Sequence, residues 1–208
     1  MDKKTLMVTI AVLGGTGKEG KGLAYRWAKA GYRVLIGSRS SERAVTAASE
    51  IMSLFDGSTS VVGMNNLEAA QQANIVVLTV PYAAHRYTLE SVKDALKGKI
   101  LIDVTVPLMP PRVARVQLPP QGSAGQIAQE LLGEEVAVVS AFQNVAAAHL
   151  QEGKGVDCDV LVSGNRYPVF LYYYAAPWDA ERTSPPYDWP TDAPPRWAAR
   201  PPVVPFPG

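Results

Sequence analysis

Residues 11–24 read AVLGGTGKEGKGLA, and this stretch decides the fold of the chain. It follows an apolar run and leads into a segment of helical composition, so it predicts a turn between a buried strand and a helix. Gly15, Gly17 and Gly20 have the G-x-G-x-x-G spacing of a dinucleotide-binding turn. The first glycine permits the tight bend, the second lets backbone approach a pyrophosphate, and the third lets helix and strand pack closely. Thr16 either donates its hydroxyl to a phosphate or only shapes the turn.

Short β-branched runs alternate with longer helical patterns up to about residue 164. The predicted strands are 6–13, 33–36, 60–62, 75–80, 99–104, 136–141 and 159–162, and the predicted helices are 18–30, 41–54, 67–73, 83–96 and 123–132. Ser41 and Ser123 are the expected N-caps of two of these helices. This alternation predicts an α/β fold, a Rossmann-type doubly wound parallel sheet with helices on both faces.

The end of the second predicted strand favours NADP over NAD. An NAD site usually has an acidic residue about 20 residues after the glycine turn, where it binds the ribose 2′-hydroxyl. No acidic residue lies between Glu19 and Glu42, and the strand instead ends in Ser38 and Arg39, with Arg43 following. Arginine offers a forked, charged donor to a 2′-phosphate. The alternative is that both arginines are ordinary solvated residues, although the helix dipole does not favour arginine at a helix N-terminus.

Three later strand ends are expected to open onto the same cleft, because ligands of such sheets bind outside the carboxyl ends of the strands. Val80 and Pro81 are predicted to line the nicotinamide ribose, unless the proline only terminates its strand. The segment after the sixth strand is predicted to approach the nicotinamide ring and the group that faces it, and it consists of Phe142, Gln143, Asn144 and Val145.

Two other sequence patterns are interpreted as having no catalytic or metal-binding role. His85 has no cysteine or acid at metal-ligand spacing, so we expect a surface or capping histidine, and no metal site is predicted. Tyr25 and Lys29 have the spacing of a short-chain dehydrogenase pair, but they fall in the first predicted helix, behind the glycine turn. We treat that spacing as coincidence.

The bulk composition argues against several classes of protein. Lys and Arg number 20 against 19 Asp and Glu, so no charge imbalance points to nucleic acid or a membrane surface. Cys158 is the single cysteine, which excludes an internal disulfide and fits a reducing compartment. The basic start followed by an apolar run resembles a signal peptide, but the run continues into the glycine turn, which favours a buried strand. We therefore predict a cytoplasmic protein without a membrane span.

Residues 165–208 differ in character from the rest of the chain. They contain 11 of the 17 prolines and three of the four tryptophans. Proline removes backbone donors and interrupts helices and central strands, so we predict an irregular proline- and aromatic-rich tail after an NADP-binding domain at 1–164. Proline-rich segments can also be ligands of partner domains. An altered reading frame or a truncation near Gly164 would give the same composition.

With these residues in view, the chain resembles the family of NADPH-dependent coenzyme F420 reductases. The resemblance is carried, in family order, by VLGGTGKEGKGLA, IGSRSSERA, VVGMNN, VVLTVP, IDVTVPL, GSAGQIAQELLG, VVSAFQNVAA and DVLVSGN, which cover nearly all of residues 7–165. It implies that the turn (Thr16, Gly17), Ser38, Arg39 and Arg43 hold NADP. It also implies that the segment from Phe142 to Val145 lies near the deazaflavin.

The resemblance implies hydride transfer between nicotinamide C4 and deazaflavin C5, with Gln143 or Asn144 donating a hydrogen bond to the acceptor ring and Thr105 a lesser candidate. Archaeal members have a histidine where this chain has Gln143. The family continues past VSG with elements that help to build the deazaflavin pocket and a homodimer, and the tail does not resemble them. Two alternatives stay open: a non-catalytic NADP-binding module, or a reductase with a flavin, ferric or imine acceptor.

Overall fold

Strands and helices alternate along the chain, as the sequence predicts. The computed structural model describes residues 8–57, 60–111, 115–151 and 160–164. The strands of this part are β1 (Thr9–Leu13), β2 (Arg33–Ser38), β3 (Val61–Asn65), β4 (Ile75–Leu78), β5 (Ile100–Asp103), β6 (Ala137–Ala141) and β7 (Val162–Gly164). The helices are α1 (Lys18–Lys29), α2 (Ser41–Met52), α3 (Asn66–Gln72), α4 (Tyr82–Val92), α5 (Ala124–Leu132) and α6 (Ala147–Gln151), and a 3₁₀ turn (Lys93–Leu96) follows α4.

The strands form one sheet in the order β3-β2-β1-β4-β5-β6-β7. Neighbours from β3 to β6 are parallel, which confirms the predicted Rossmann-type fold. The sheet is antiparallel only at one edge of the described part, where β7 pairs with β6, Ser140 opposite Ser163. An edge strand needs only one partner and can be reached without a crossover helix, so the hydrophobic run alone did not reveal its direction.

Alternate residues of β1 point to opposite faces of the sheet, where separate apolar clusters cover them. Ala11 and Leu13 belong to a cluster that includes residues of α3, α4 and α5. Val12 packs on the other face with residues of α1 and α2, and Ile10 joins a third cluster with Leu150 of α6. Burial on both faces explains why the strands read as continuous apolar runs.

Several predicted boundaries move by a few residues. The N-cap of α2 is Ser40 rather than Ser41, since the Ser40 side chain accepts the Arg43 N–H. Ser123 caps α5 as predicted. The α-helical part of α4 ends at Val92, and α6 was not predicted at all. It packs on α1 so closely that a Cβ at Gly22 would lie 2.5 Å from Leu150 Cβ.

The predicted proline-rich tail at 165–208 lies outside the described residues, as do residues 6 and 7 of the first predicted strand. The start of the seventh predicted strand, 159, is outside them as well. Within the described part of the chain, no helix has the length and apolar character needed to cross a bilayer.

Candidate functional site

A cavity of about 790 Å³ lies at the carboxyl edge of the sheet. The strand order reverses direction between β1 and β4, so their following segments diverge and leave a crevice between them. Its lining includes Gly14, Thr16 and Gly17 from the glycine turn. One end is formed by Ser38, Arg39 and Arg43, which we call the basic end. The other is formed by Val80, Pro81 and Thr105, which we call the apolar end.

The three glycines of the fingerprint have different surroundings. A Cβ at Gly15 would lie 2.7 Å from Val12 O, and one at Gly20 would lie 2.6 Å from Gly15 Cα. A Cβ at Gly17 would meet only Gly14 O, at 3.8 Å. Gly15 and Gly20 are therefore required by packing between β1 and α1. Gly17 has open space on the side of the cavity, where a bound group can approach its backbone.

The sequence analysis did not single out Gly14, although the turn depends on it. Its φ of +71° is in the left-handed region. A Cβ there would also lie 2.6 Å from Val80 Cγ1. Its N–H donates to Asn66 Oδ1 at 3.4 Å, so a buried residue from the start of α3 helps to fix the turn. The doubled glycine was a visible signal, but the contact with Asn66 spans 52 residues of sequence.

The N-terminus of α1 faces the cavity without a side-chain cap. Gly17 is the N-cap and makes no side-chain hydrogen bond. The first N–H groups of the helix, which have no partner within it, and the positive end of the helix dipole favour an anion at this place. Glu19, in the first turn, has one carboxylate oxygen buried without a hydrogen-bond partner. That burial raises the pKa of Glu19 above its ordinary value.

The basic end brings the predicted Ser38, Arg39 and Arg43 together. Ser38 ends β2 and is buried, and its Oγ accepts the Ser40 N–H at 3.2 Å. Arg39 and Arg43 are exposed, and the described part of the chain gives neither guanidinium an acidic partner. Two cations without ion pairs line the same wall of the cavity, so the basic end has donors available for a polyanionic ligand.

The apolar end is built from the predicted Val80 and Pro81, together with Thr105. Thr79 Oγ1 donates to Leu13 O at 3.0 Å and ties the end of β4 to β1. Thr105 is buried, and its backbone N–H donates to Asp103 Oδ1 at 3.0 Å. Its hydroxyl lies 3.5 Å from Val80 O, across the gap between the segments that follow β4 and β5. The two segments therefore form one continuous wall.

The expectation that His85 is a surface or capping residue is wrong. Its side chain is 1% exposed, and Nε2 donates to Asp103 Oδ2 at 2.8 Å, with Asp103 fully buried. The ring also stacks on Tyr82. His85 shares the inner face of α4 with Leu89 and Val92, at spacings of four and three, and that periodicity was the signal in the sequence. Because the pair is 18 residues apart, local pattern could not reveal it.

The segment after β6 divides between the core and the edge of the sheet. Val145 is buried, and Phe142 packs edge-to-face on Trp27 in the same apolar cluster. Phe142 has φ of +71°, an uncommon conformation for a bulky residue. Gln143 and Asn144 are exposed, and Gln143 Nε2 donates to Asp103 O at 2.8 Å. Gln143 is thus held at the carboxyl end of β5.

A second cavity, of about 390 Å³, adjoins the first and shares Tyr82 and Leu108 with it. His85, Met109 and Ile127 contribute to its mostly apolar lining, and Arg86 supplies a charge. Sequence reasoning missed this cavity because the segment between β5 and α5 has no hydrophobic periodicity. Within the described ranges, no three acidic, histidine or cysteine side chains lie together in a way that could hold a metal ion.

Comparison with known proteins agrees with this geometry. The family model for coenzyme F420-dependent NADP oxidoreductases matches residues 9–107. The chain is also 44% identical over 162 residues to the F420-dependent NADP reductase of Methanothermobacter marburgensis, covering 75% of this chain and 72% of the relative. The chain belongs to the F420-dependent NADP reductase family. This confirms the resemblance predicted from the sequence.

Solved structures support the family's fold for this chain. A candidate F420-dependent NADP reductase from Arthrobacter sp. FB24 is 30% identical with a TM-score of 0.61, covering 75% of this chain and 73% of that one. An imine reductase from Bacillus cereus BAG3X2 is 21% identical with a TM-score of 0.51, covering 76% of this chain and 47% of that one. The second likeness is one of fold alone.

Proposed function

We propose that this chain is an oxidoreductase that transfers a hydride between NADP(H) and the deazaflavin coenzyme F420. Its membership of the F420-dependent NADP reductase family supports the reaction. The observation that carries the proposal for this chain is the basic end. Its two exposed arginines, Arg39 just after β2 and Arg43 in the first turn of α2, have no acidic partner in the described residues and lie beside the glycine turn. An adenosine 2′-phosphate is the anion that suits this position in a doubly wound sheet.

For the NADP site we propose that Arg39 and Arg43 bind the 2′-phosphate and that Ser38 hydrogen-bonds to the same group. Gly15, Thr16, Gly17 and Gly20 would form the pyrophosphate turn. The space beside Gly17 and the uncapped start of α1 support this assignment, since both fit an anion bound by backbone N–H groups. A 2′-phosphate distinguishes NADP from NAD, so selectivity would reside in the guanidinium groups.

For the hydride-transfer end we propose that Val80 and Pro81 lie against the nicotinamide ribose. Gln143 and Asn144 would hydrogen-bond to the acceptor ring, and Phe142 and Val145 would support that segment from the core. Gln143 donates to Asp103 O through Nε2, and a primary amide has a second N–H that remains available for a ring carbonyl. The two cofactors, when bound, supply the chemistry, in which a hydride moves between nicotinamide C4 and deazaflavin C5.

The chain's contribution is then positional. The tied segments after β4 and β5 hold the reacting groups in one orientation, and the apolar wall excludes water from the hydride path. No side chain needs to act as a nucleophile. A homodimer and a cytoplasmic location complete the proposal, and size-exclusion chromatography of the full chain tests the first.

A spectrophotometric assay tests the proposed function. NADPH is mixed with the full-length chain and with coenzyme F420, riboflavin-type flavin, ferric citrate or no acceptor. We expect NADPH oxidation with F420, and much slower oxidation of NADH. Oxidation of NADPH that is faster with flavin or ferric ion would reassign the acceptor. If the chain binds NADPH tightly but no acceptor oxidises it, the chain is a non-catalytic NADP-binding module rather than an enzyme.

A further inference from the structure

His85 and Asp103 form a buried polar pair that none of the proposed cofactor contacts uses. Their side chains are 1% and 0% exposed, and the ring Nε2 donates to Asp103 Oδ2 at 2.8 Å. His85 comes from the first turns of α4, and Asp103 is the last residue of β5. The pair therefore lies at the carboxyl edge of the sheet, where strands deliver ligand-binding residues.

Asp103 is in contact with α4, with the segment after β6 and with its own loop after β5. Its Oδ2 accepts from His85, its Oδ1 accepts the Thr105 N–H at 3.0 Å, and its backbone oxygen accepts from Gln143 Nε2 at 2.8 Å. Thr105 in turn lies 3.5 Å from Val80 O through its hydroxyl. We call these four residues, His85, Asp103, Thr105 and Gln143, the Asp103 network. The first three are buried, and the Gln143 side chain is exposed.

Stability alone does not account for this arrangement. A buried pair of polar or charged groups is often no more stabilising than apolar residues of the same size, because both groups must leave water. Two of the contacts of Asp103 go to Thr105 and Gln143, on the segments that follow β5 and β6 at the carboxyl edge of the sheet. The sequence assigns Gln143 or Asn144 to the acceptor ring, with Thr105 as a lesser candidate.

We propose that Asp103, oriented by His85, is a positioning residue for hydride transfer. Its side chain fixes Thr105 relative to Val80, and its backbone oxygen, held in place by the same side-chain contacts, accepts from Gln143. Together these contacts set the orientation of the two rings. This inference rests on the proposed function. It assigns no contact between the buried pair and either cofactor, and therefore no catalytic role in the strict sense.

The sheet separates this network from the basic end. The strand order places β2 and β5 three steps apart, which at about 4.8 Å per step is roughly 14 Å. Disturbing Asp103 should therefore change the rate of hydride transfer much more than the affinity for NADPH, most of whose charge is bound elsewhere. A displacement of about 1 Å at the reacting atoms can lower a rate by about 100-fold.

The test compares the full-length wild-type chain with Asp103→Asn, His85→Gln and His149→Gln. Asparagine keeps the size of the side chain but replaces one acceptor oxygen by an NH₂ group, so His85 and Thr105 can no longer both donate to it. Glutamine at 85 keeps an N–H donor within reach of Asp103 and is the conservative rescue. His149 is exposed and is the only other histidine, so its variant is the matched control.

The main readout is the single-turnover rate constant for NADPH oxidation by F420, measured by rapid mixing with enzyme in excess. We expect this constant to fall by about 10- to 100-fold in Asp103→Asn and to stay within about threefold of the wild type in His85→Gln and His149→Gln. The dissociation constant for NADPH, from calorimetry, should stay within about threefold in all of them. If Asp103 had only a structural role, the Asp103→Asn variant would have a smaller folded fraction. The amplitude of NADPH oxidation would then fall, and its rate constant would be unchanged.

A second readout does not depend on activity. Because the chain has two histidines, ¹⁵N-histidine labelling gives two sets of ring signals, and His149→Gln assigns them. We expect Asp103→Asn to shift the ring nitrogens of His85 and to leave those of His149 in place. Unchanged His85 signals would overturn the contact, and an unchanged rate constant in Asp103→Asn would overturn the positioning role. A wild-type chain without F420 activity would overturn the proposed function and this inference together.

Discussion

The two ends of the main cavity are built in opposite ways. At the basic end, Arg39 and Arg43 project into solvent and have no acidic partner among the described residues. At the apolar end, the wall depends on His85 and Asp103, both buried and hydrogen-bonded to each other. Removing the charges of the basic end should leave the fold intact. Removing either His85 or Asp103 would instead leave the other buried without its hydrogen-bond partner. We therefore expect substitutions at the basic end to change cofactor binding alone, and substitutions of the buried pair at the apolar end to change stability as well.

The largest effect is expected from His85→Leu. This change leaves Asp103 Oδ2 buried without its donor, and breaking a buried pair in this way typically costs about 3–5 kcal/mol. Urea unfolding followed by circular dichroism measures the free energy of unfolding. His149→Gln, an exposed control, should stay within about 0.5 kcal/mol of the wild type. An unfolding free energy for His85→Leu equal to that of the wild type would remove the contrast between the two ends.

The next effect is expected from Arg39→Glu, which should act on binding alone. Loss of a charged hydrogen bond to the 2′-phosphate costs about 1.5–3 kcal/mol, and the reversed charge adds repulsion, so the dissociation constant for NADPH should rise by about 100-fold. Calorimetry with NADPH and NADH measures both affinities, and that for NADH should hardly change. Lys93→Glu, an exposed charge reversal after α4, is the control. Equal losses for NADPH and NADH would refute the 2′-phosphate assignment.

A smaller effect is expected from Gly17→Ala, and Gly20→Ala shows the opposite pattern. Alanine suits the backbone of Gly17, with φ of −77° and a nearest neighbour at 3.8 Å, so we expect a stability cost below about 1 kcal/mol. Its methyl group would lie where the pyrophosphate approaches, and the NADPH dissociation constant should rise by about tenfold. Gly20→Ala would place Cβ 2.6 Å from Gly15 Cα and should cost about 1–3 kcal/mol of stability. The free energy of unfolding and the NADPH dissociation constant, measured for both variants, decide whether Gly17 acts in binding and Gly20 in packing.

The smallest effect is expected from Glu19→Gln. Burial raises the pKa of Glu19, so the folded state binds this proton more tightly than the unfolded state. The carboxylate therefore destabilises the fold as pH rises through its ordinary pKa, and the penalty is absent below about pH 4, where both states are protonated. We expect a rise in Tm at pH 7 of no more than about 3 °C, and none at pH 3. Glu42→Gln, in the exposed first turn of α2, is the control, and an equal gain there would contradict the role of burial.

Local pattern predicted the glycine turn, the basic strand end and the order of strands and helices in the chain. Each depends on residues that are close in sequence, such as Gly15 to Gly20 or Ser38 to Arg43. The same reasoning failed for His85, because its partner is 18 residues away. It also gave no sign of the contact between Gln143 and Asp103, which spans 40 residues. It did not reveal the direction of β7 either, since a short apolar run at a sheet edge has no signal for its direction.

The sequence by itself determined the α/β class, the glycine turn and the two arginines that follow the second strand, which we propose bind the 2′-phosphate of NADP. These features follow from backbone geometry and charge, which act within a turn or two of chain. Only the tertiary structure decided which strand ends meet. The fold, with its strand order β2-β1-β4-β5-β6, places Asp103 beside His85 and Gln143, and these two contacts exist because the fold brings together residues that the chain keeps far apart.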